Sequence, residues 1–104
     1  MSYRIERFSS TLKQCLADIL LNEIDNPHLK SISITEVVVS SDLKKARIFV
    51  DSTKHNPADL IPELTGAKGF IKKSLAKKMY LRYVPELIFF KNENYEIENE
   101  KKSC

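Results

Sequence analysis

The sequence contains no tryptophan, and glycine, cysteine and histidine occur twice each. Each shortage excludes something. Two cysteines, Cys15 and Cys104, do not make a disulfide framework, which points to a reducing, cytoplasmic compartment. Cys15 falls between Leu12 and Leu16, near an apolar stripe, and reads as a buried structural thiol rather than a nucleophile, which needs electropositive, partly open surroundings. Cys104 is terminal and exposed. His28 and His55 fall in separate loops with no cysteine or carboxylate at ligand spacing, so they read as exposed loop histidines and no metal site is expected. There is no Walker loop, dinucleotide fingerprint or nucleophile elbow. No apolar run approaches the ~20 residues of a membrane span, and the polar opening MSYRIERFSS is not a signal peptide. These absences leave a non-enzymatic protein with no cofactor, no small-molecule substrate and no membrane partner.

What is present is one small domain's worth of chain, 104 residues with 42% hydrophobic and 30% charged side chains. The net charge of +3 says little by itself. Its distribution says more, because Lys68, Lys72, Lys73, Lys77, Lys78 and Arg82 fall in one stretch that holds no acid. Without those six, eleven basic residues face fourteen acidic ones. A slightly acidic body thus carries one basic segment, a directed field that a nucleic-acid backbone can use.

Residues 3 to 25 carry Ile5, Phe8, Leu12, Leu16, Ile19, Leu20 and Ile24 at spacings of three and four, the stripe of one long helix. Ser2 is its expected N-cap, and Asn26-Pro27 its expected end. A strand follows in which Ile32 and Ile34 alternate with polar residues. The phase then slips to Val37 and Val39, as a bulge near Glu36 or a strand covered on both faces would cause. Ser40-Ser41-Asp42 is a turn, and a second strand over about Lys44 to Ser52 sets Ala46, Ile48 and Val50 on one face, giving an antiparallel hairpin. A short helix over about Ala58 to Thr65 directs Leu60, Ile61 and Leu64 inward. Pro62 limits it and suggests a late start. A further helix over about Lys68 to Leu81 has Ile71, Leu75 and Met79 on its apolar stripe and Lys72, Lys73 and Lys77 away from it. Pro85 stops helical structure, and Glu86 to Lys91 reads as a third strand, apolar on both sides and covered. The resulting α+β order is α-β-β-α-(kink)-α-β, a three-stranded sheet with helices packed on one face. Residues 1–92 form the domain and 93–104 a polar C-terminal tail.

The two glycines, Gly66 and Gly69, fall between two helices. There glycine can adopt φ > 0, cap the first helix and let another backbone approach. The next helix then points free N–H groups outward, which favours phosphate. Gly66-Ala67-Lys68-Gly69 matches the GxxG loop with which KH domains clamp a nucleic-acid backbone. The basic helix lacks the interspersed glutamates that would offset its repulsion by i,i+4 pairing, so a partner must supply negative charge. Tyr80, Tyr83 and Phe49 are the candidates for exposed stacking, and contacts to the RNA backbone are expected to dominate.

Over about residues 4 to 91 the sequence resembles the ribosome-binding factor A family, bacterial small-subunit assembly factors with a KH-like (type II) domain. The resemblance rests on Gly69-Phe70-Ile71, Leu81-Arg82, Val84-Pro85-Glu86-Leu87 and Phe89-Phe90. It is extended by Thr35-Glu36-Val37, Ser40, Asp42-Leu43, Ala46, Ile48, Arg4, Arg7 and Asp25-Asn26-Pro27. In that family an alanine kink replaces GxxG, so Ala67-Lys68-Gly69 is the relevant match and Gly66 completes GxxG by coincidence; Gly66, Ala67 and Gly69 together are taken as the interhelical kink. The resemblance implies a monomer that binds the 30S subunit through 16S rRNA and assists late maturation and processing of 16S precursor rRNA, including at low temperature. The phosphate contacts expected are Lys68, Lys72, Lys73, Lys77, Lys78 and Arg82, with Lys44, Lys45 and Arg47 as weaker candidates, and Arg82 could instead pair with Glu86. The sequence departs from the family in the short segment between Ser52 and Gly66, in Pro62, and after Phe90. Two alternatives stay open: a single-stranded RNA binder with a working GxxG, and a module whose basic helix docks on an acidic protein.

Overall fold

The computed structural model describes residues 3–92, with side chains from Arg4 onward. In chain order the elements are α1 (Tyr3–Asp18), a π-helical turn (Ile19–Glu23), α2 (Pro27–Lys30), β1 (Ile32–Val39), β2 (Lys45–Ser52), α3 (Pro57–Gly66), α4 (Lys68–Met79) and β3 (Glu86–Lys91). The expected α+β order therefore holds. The expected cap Ser2, the terminal Cys104 and the tail from residue 93 lie outside the described residues.

The first helix differs from its expected form. Leu12, Leu16, Ile19 and Leu20 are buried along the stripe, but the helix widens into a π turn at Ile19, and the backbone is extended by Ile24 (φ −110°, ψ 125°). Asn26-Pro27 does not end this helix; it begins α2. The Asn26 side chain accepts from the backbone N–H groups of His28 (2.9 Å) and Leu29 (3.4 Å), and Pro27 occupies the first helical position, where its missing N–H costs nothing.

The sheet order is β1-β2-β3. Strands β1 and β2 are antiparallel, and their register shifts between Ile34 and Glu36. Thr35 is the extra residue, and its hydroxyl donates to the Phe49 carbonyl (3.1 Å). The bulge explains the phase slip, because it lets Ile34 and Val37 both turn toward the helices. In the turn, the Asp42 carboxylate accepts from the Ser40 hydroxyl (2.7 Å) and the Lys44 N–H (3.0 Å), and Leu43 adopts φ 61°. Strand β3 runs parallel to β2, so α3 and α4 together form the crossover that a parallel pair needs.

Ala46, Ile48, Val50, Leu87 and Phe89 form one face of the sheet and share a core with Leu12, Leu16, Ile19, Leu64, Ile71 and Leu75. The opposite face is open. Strand β3 was expected to be covered on both sides, but Ile88 is half-buried and Phe90 is 39% exposed. With no helix over that face, Phe90 shields itself by stacking on Phe49, with ring centroids 5.4 Å apart.

Helix α3 starts at Pro57, earlier than expected, and holds Pro62 within it. Its start is fixed by the Asn56 side chain, which accepts from the Ala58 N–H (3.0 Å), and by Pro57 at the first position. Pro62 lies on the exposed side, where the Ala58 carbonyl that it leaves unbonded can reach water. Leu60 and Leu64 are buried, with Ile61 half-buried.

The glycines do not do what the sequence suggested. Neither has a positive φ, Gly66 is the last residue of α3, and Gly69 lies in the first turn of α4. Apart from the chain neighbours and the backbone of the same helix, no atom stands within 4 Å of where a β-carbon would be built on either. The change of direction falls on Ala67 alone (φ −93°, ψ 3°), whose N–H reaches the Glu63 (3.1 Å) and Leu64 (3.0 Å) carbonyls.

Candidate nucleic-acid interface

Helix α4 presents two faces. Ile71 and Leu75 are fully buried and Met79 half-buried, which fixes the helix on the core and sends its lysines outward. The helix ends at Met79, two residues short of the expected Leu81, because Tyr80 turns into the left-handed region (φ 55°, ψ 44°). Its other end begins at Ala67 with no side-chain cap, so the first N–H groups of α4 are not met by a capping side chain.

The basic residues divide by partner. Lys72, Lys73 and Lys77 form no ion pair among the described residues; Lys72 is half-buried, Lys73 and Lys77 exposed. Lys68 and Lys78 differ from them in having carboxylate partners. Lys68 Nζ lies 3.2 Å from Glu86 Oε2. Lys78 Nζ lies 2.7 Å from Asp18 Oδ2 and 2.6 Å from Glu23 Oε2. The helix has no acid of its own, yet its two ends are compensated across space by carboxylates from other elements.

The π turn explains how one ammonium meets both acids. On an α-helix, residues five apart are turned by about 500°, which sets them well off each other. In a π turn the i→i+5 bond stacks residues five apart. Asp18 and Glu23 are such a pair, and Lys78 closes on them from α4. Hydrogen bonding from Lys78, aided by Asn22 for Asp18 and by Ser74 for Glu23, holds both carboxyls below their ordinary range. The same two acids raise the Lys78 ammonium well above its usual range.

Arg82 is exposed and forms no pair with Glu86, which is taken by Lys68. Lys44 and Lys45 are exposed at the turn and at the start of β2, and Arg47 points from the open face of the sheet, in register with Val38 and Ile88. Arg47 therefore stands on the side away from the helices, and the nine candidate cations do not form one surface. The tetrapeptide Gly66-Ala67-Lys68-Gly69 contains only one non-helical residue, so it offers no loop in which to clamp a strand.

Two clusters escaped the sequence. Arg4 and Arg7, on the first turns of α1, face the end of α4 across a cleft of about 530 Å³; their i,i+3 spacing was the available signal. His28, expected in a loop, lies in α2. Its Nδ1 is 3.2 Å from Glu63 Oε2, and its ring meets that of His55 edge-on at 4.7 Å. Hydrogen bonds from Asn26 and then His28 lower the Glu63 carboxyl below its ordinary value. Among the described residues no group of three or more His, Cys, Asp and Glu side chains can hold a metal. Cys15 is half-buried, and burial is the main reason its thiol is raised. No helix among the described residues is long and apolar enough to cross a membrane.

Comparison with known families resolves what this basic helix on a three-stranded sheet belongs to. The family description "Ribosome-binding factor A" matches residues 4–103. The chain belongs to the ribosome-binding factor A family. Ribosome-binding factor A of Acetivibrio thermocellus is 40% identical over 89 residues, 83% of this chain and 72% of the relative. That of Syntrophus aciditrophicus is 41% identical over 88 residues, with the same coverage. The fold agrees with the crystal structure of ribosome-binding factor A from Thermus thermophilus (TM-score 0.75, 21% identity, 84% of this chain and 93% of that one). A Thermotoga maritima protein solved by NMR is similar as well (TM-score 0.72, 26% identity, 86% and 88% covered). A homology model of the Thermus thermophilus ribosome-binding factor A has also been fitted into a cryo-EM map of a 30S complex with that factor (TM-score 0.69, 21% identity, 82% and 91% covered).

Proposed function

We propose that this protein binds the 30S subunit through 16S rRNA, chiefly by phosphate contacts from Lys72, Lys73 and Lys77, and so assists late subunit maturation. The observation that carries the reading is that Lys72, Lys73 and Lys77 on α4 meet no carboxylate among the described residues, although they are set between two lysines that do. Lys73 and Lys77, one turn apart on the helix surface, repel each other, and an RNA backbone relieves that repulsion while releasing its own counterions. The first N–H groups of α4, with no capping side chain, add donors beside them. Arg82 extends the row, and Lys44, Lys45 and Arg47 make secondary contacts from the turn and the open sheet face. The 30S complex containing the Thermus thermophilus relative supports the choice of subunit.

The protein works as a cytoplasmic monomer, without cofactor or catalysis. It holds one RNA conformation by shape, which favours correct processing of 16S precursor rRNA and matters most at low temperature, where misfolded RNA is slowest to rearrange. Residues 1–92 carry the binding and 93–104 are an appended tail.

Co-sedimentation with purified small subunits over a range of salt concentrations tests this. Log K falls linearly with log salt, and replacing Lys72, Lys73 and Lys77 by Gln flattens the slope by about 1 for each phosphate no longer neutralised. An unchanged slope and affinity in that variant overturns the reading.

A further inference from the structure

Tyr80 puts an aromatic ring where the fold asks only for a left-handed turn. It follows the last residue of α4 in the left-handed region, at φ 55° and ψ 44°, a conformation disfavoured for any residue with a β-carbon and usually given to Gly or Asn at this position. Its ring is 93% exposed, so core packing does not compensate for the backbone. The turn itself serves the helix end, because it lets the Leu81 N–H reach the Ala76 carbonyl (2.9 Å), but that role does not call for an aromatic side chain. The ring also lines the cleft between the first turns of α1 and the end of α4, together with Arg4, Arg7, Phe8, Met79 and Leu81. Arg4 is exposed. The cleft thus combines apolar walls, an aromatic face and guanidinium groups at its rim, at a volume suited to a small planar group. Tyr80 also lies three residues beyond Lys77, at the same end of α4.

We propose that this cleft receives one unpaired nucleotide of the RNA, its base stacked on the Tyr80 ring and its phosphate on Arg4. This rests on the RNA-binding reading above and adds to it a point that senses whether the bound RNA is single-stranded. Every base has a π-face, so the contact selects an unpaired nucleotide rather than a sequence. A duplex can satisfy the lysines but cannot enter the cleft.

The test measures subunit binding across salt for Tyr80→Gly, Tyr80→Asn and Tyr80→Phe beside the Lys72, Lys73 and Lys77 to Gln variant. Gly and Asn are at ease in the left-handed region, so thermal stability is kept or raised. Their affinity is expected to fall roughly 5- to 150-fold, with the salt slope unchanged because the same number of phosphates is neutralised. Tyr80→Phe is expected to bind as the wild type does. If Gly and Asn bind normally, or if Phe loses as much as they do while the lysine variant is weakened, the stacking proposal falls and the RNA-binding reading stands. If the lysine variant binds normally, the underlying reading falls. A photoreactive phenylalanine derivative in place of Tyr80 should crosslink to rRNA; a crosslink to a ribosomal protein instead overturns the nucleotide assignment.

Discussion

The ends of α4 and its middle carry the same residue type in different settings. Lys68 and Lys78, near the ends, meet Glu86, Asp18 and Glu23. Lys72, Lys73 and Lys77, between them, meet no carboxylate among the described residues. The end lysines tie the helix to β3 and to the π turn, and they are part of how the domain holds together. The middle lysines have no structural task and keep their charge available. A basic run is therefore not one signal: in this helix it is a fastening at each end, with lysines between that meet no carboxylate among the described residues.

The largest effect on folding comes from the buried face that keeps both regions in place. Leu75 is fully buried, and Leu75→Ala is expected to cost about 2–5 kcal/mol, read by urea denaturation. Replacing the three middle lysines by Gln should leave stability within about 0.5 kcal/mol yet flatten the salt dependence of subunit binding in co-sedimentation by about 1 in slope per lysine. A matching loss of stability in that variant would break the distinction between ends and middle.

Replacing Lys78 by Met should do the reverse, lowering the thermal midpoint while leaving the salt slope nearly intact. The pH dependence sharpens this. Asp18 and Glu23 are held below their ordinary values, so the unfolded chain binds protons that the folded one does not. Their contribution is present above the ordinary carboxylate range and lost as pH falls through their lowered values. The Lys78 ammonium is raised, so its share persists up to the ordinary lysine range and is lost only at higher pH. Wild type and Lys78→Met should therefore differ in midpoint at neutral pH and converge in acid. The smallest effect belongs to Gly69→Ala, for which the helix has room; it should stabilise by about 0.5–1 kcal/mol, seen as a small rise in the thermal midpoint.

Much of this was legible in the sequence wherever local periodicity dominates. The Ile71, Leu75, Met79 spacing fixed the face of α4, and the slip after Ile34 announced the bulge at Thr35. What was not legible depends on contacts between distant segments or on a small local competition. The π turn gives no apolar signature, because Ile19 and Leu20 fit an α stripe equally well. Pro62 argued for a late helix start, but Asn56-Pro57 supplied a cap strong enough to fix the start upstream. Gly66 and Gly69 suggested left-handed backbone, whereas the left-handed residues are Leu43 and Tyr80. The pairing of Lys78 with Asp18 joins residues on different helices, and no spacing rule along one helix could show it. For the same reason the meeting of His28, His55 and Glu63 was hidden.

The absence of tryptophan and the position of Tyr80 have an optical consequence. Near-ultraviolet emission in this protein must come from its four tyrosines, and two of them, Tyr80 and Tyr83, are already 93% and 82% exposed in the folded chain. Unfolding changes their surroundings little, whereas a molecule laid over the end of α4 changes them greatly. The emission of these two tyrosines is thus a poor thermometer of the fold and a good reporter of whatever covers the end of α4.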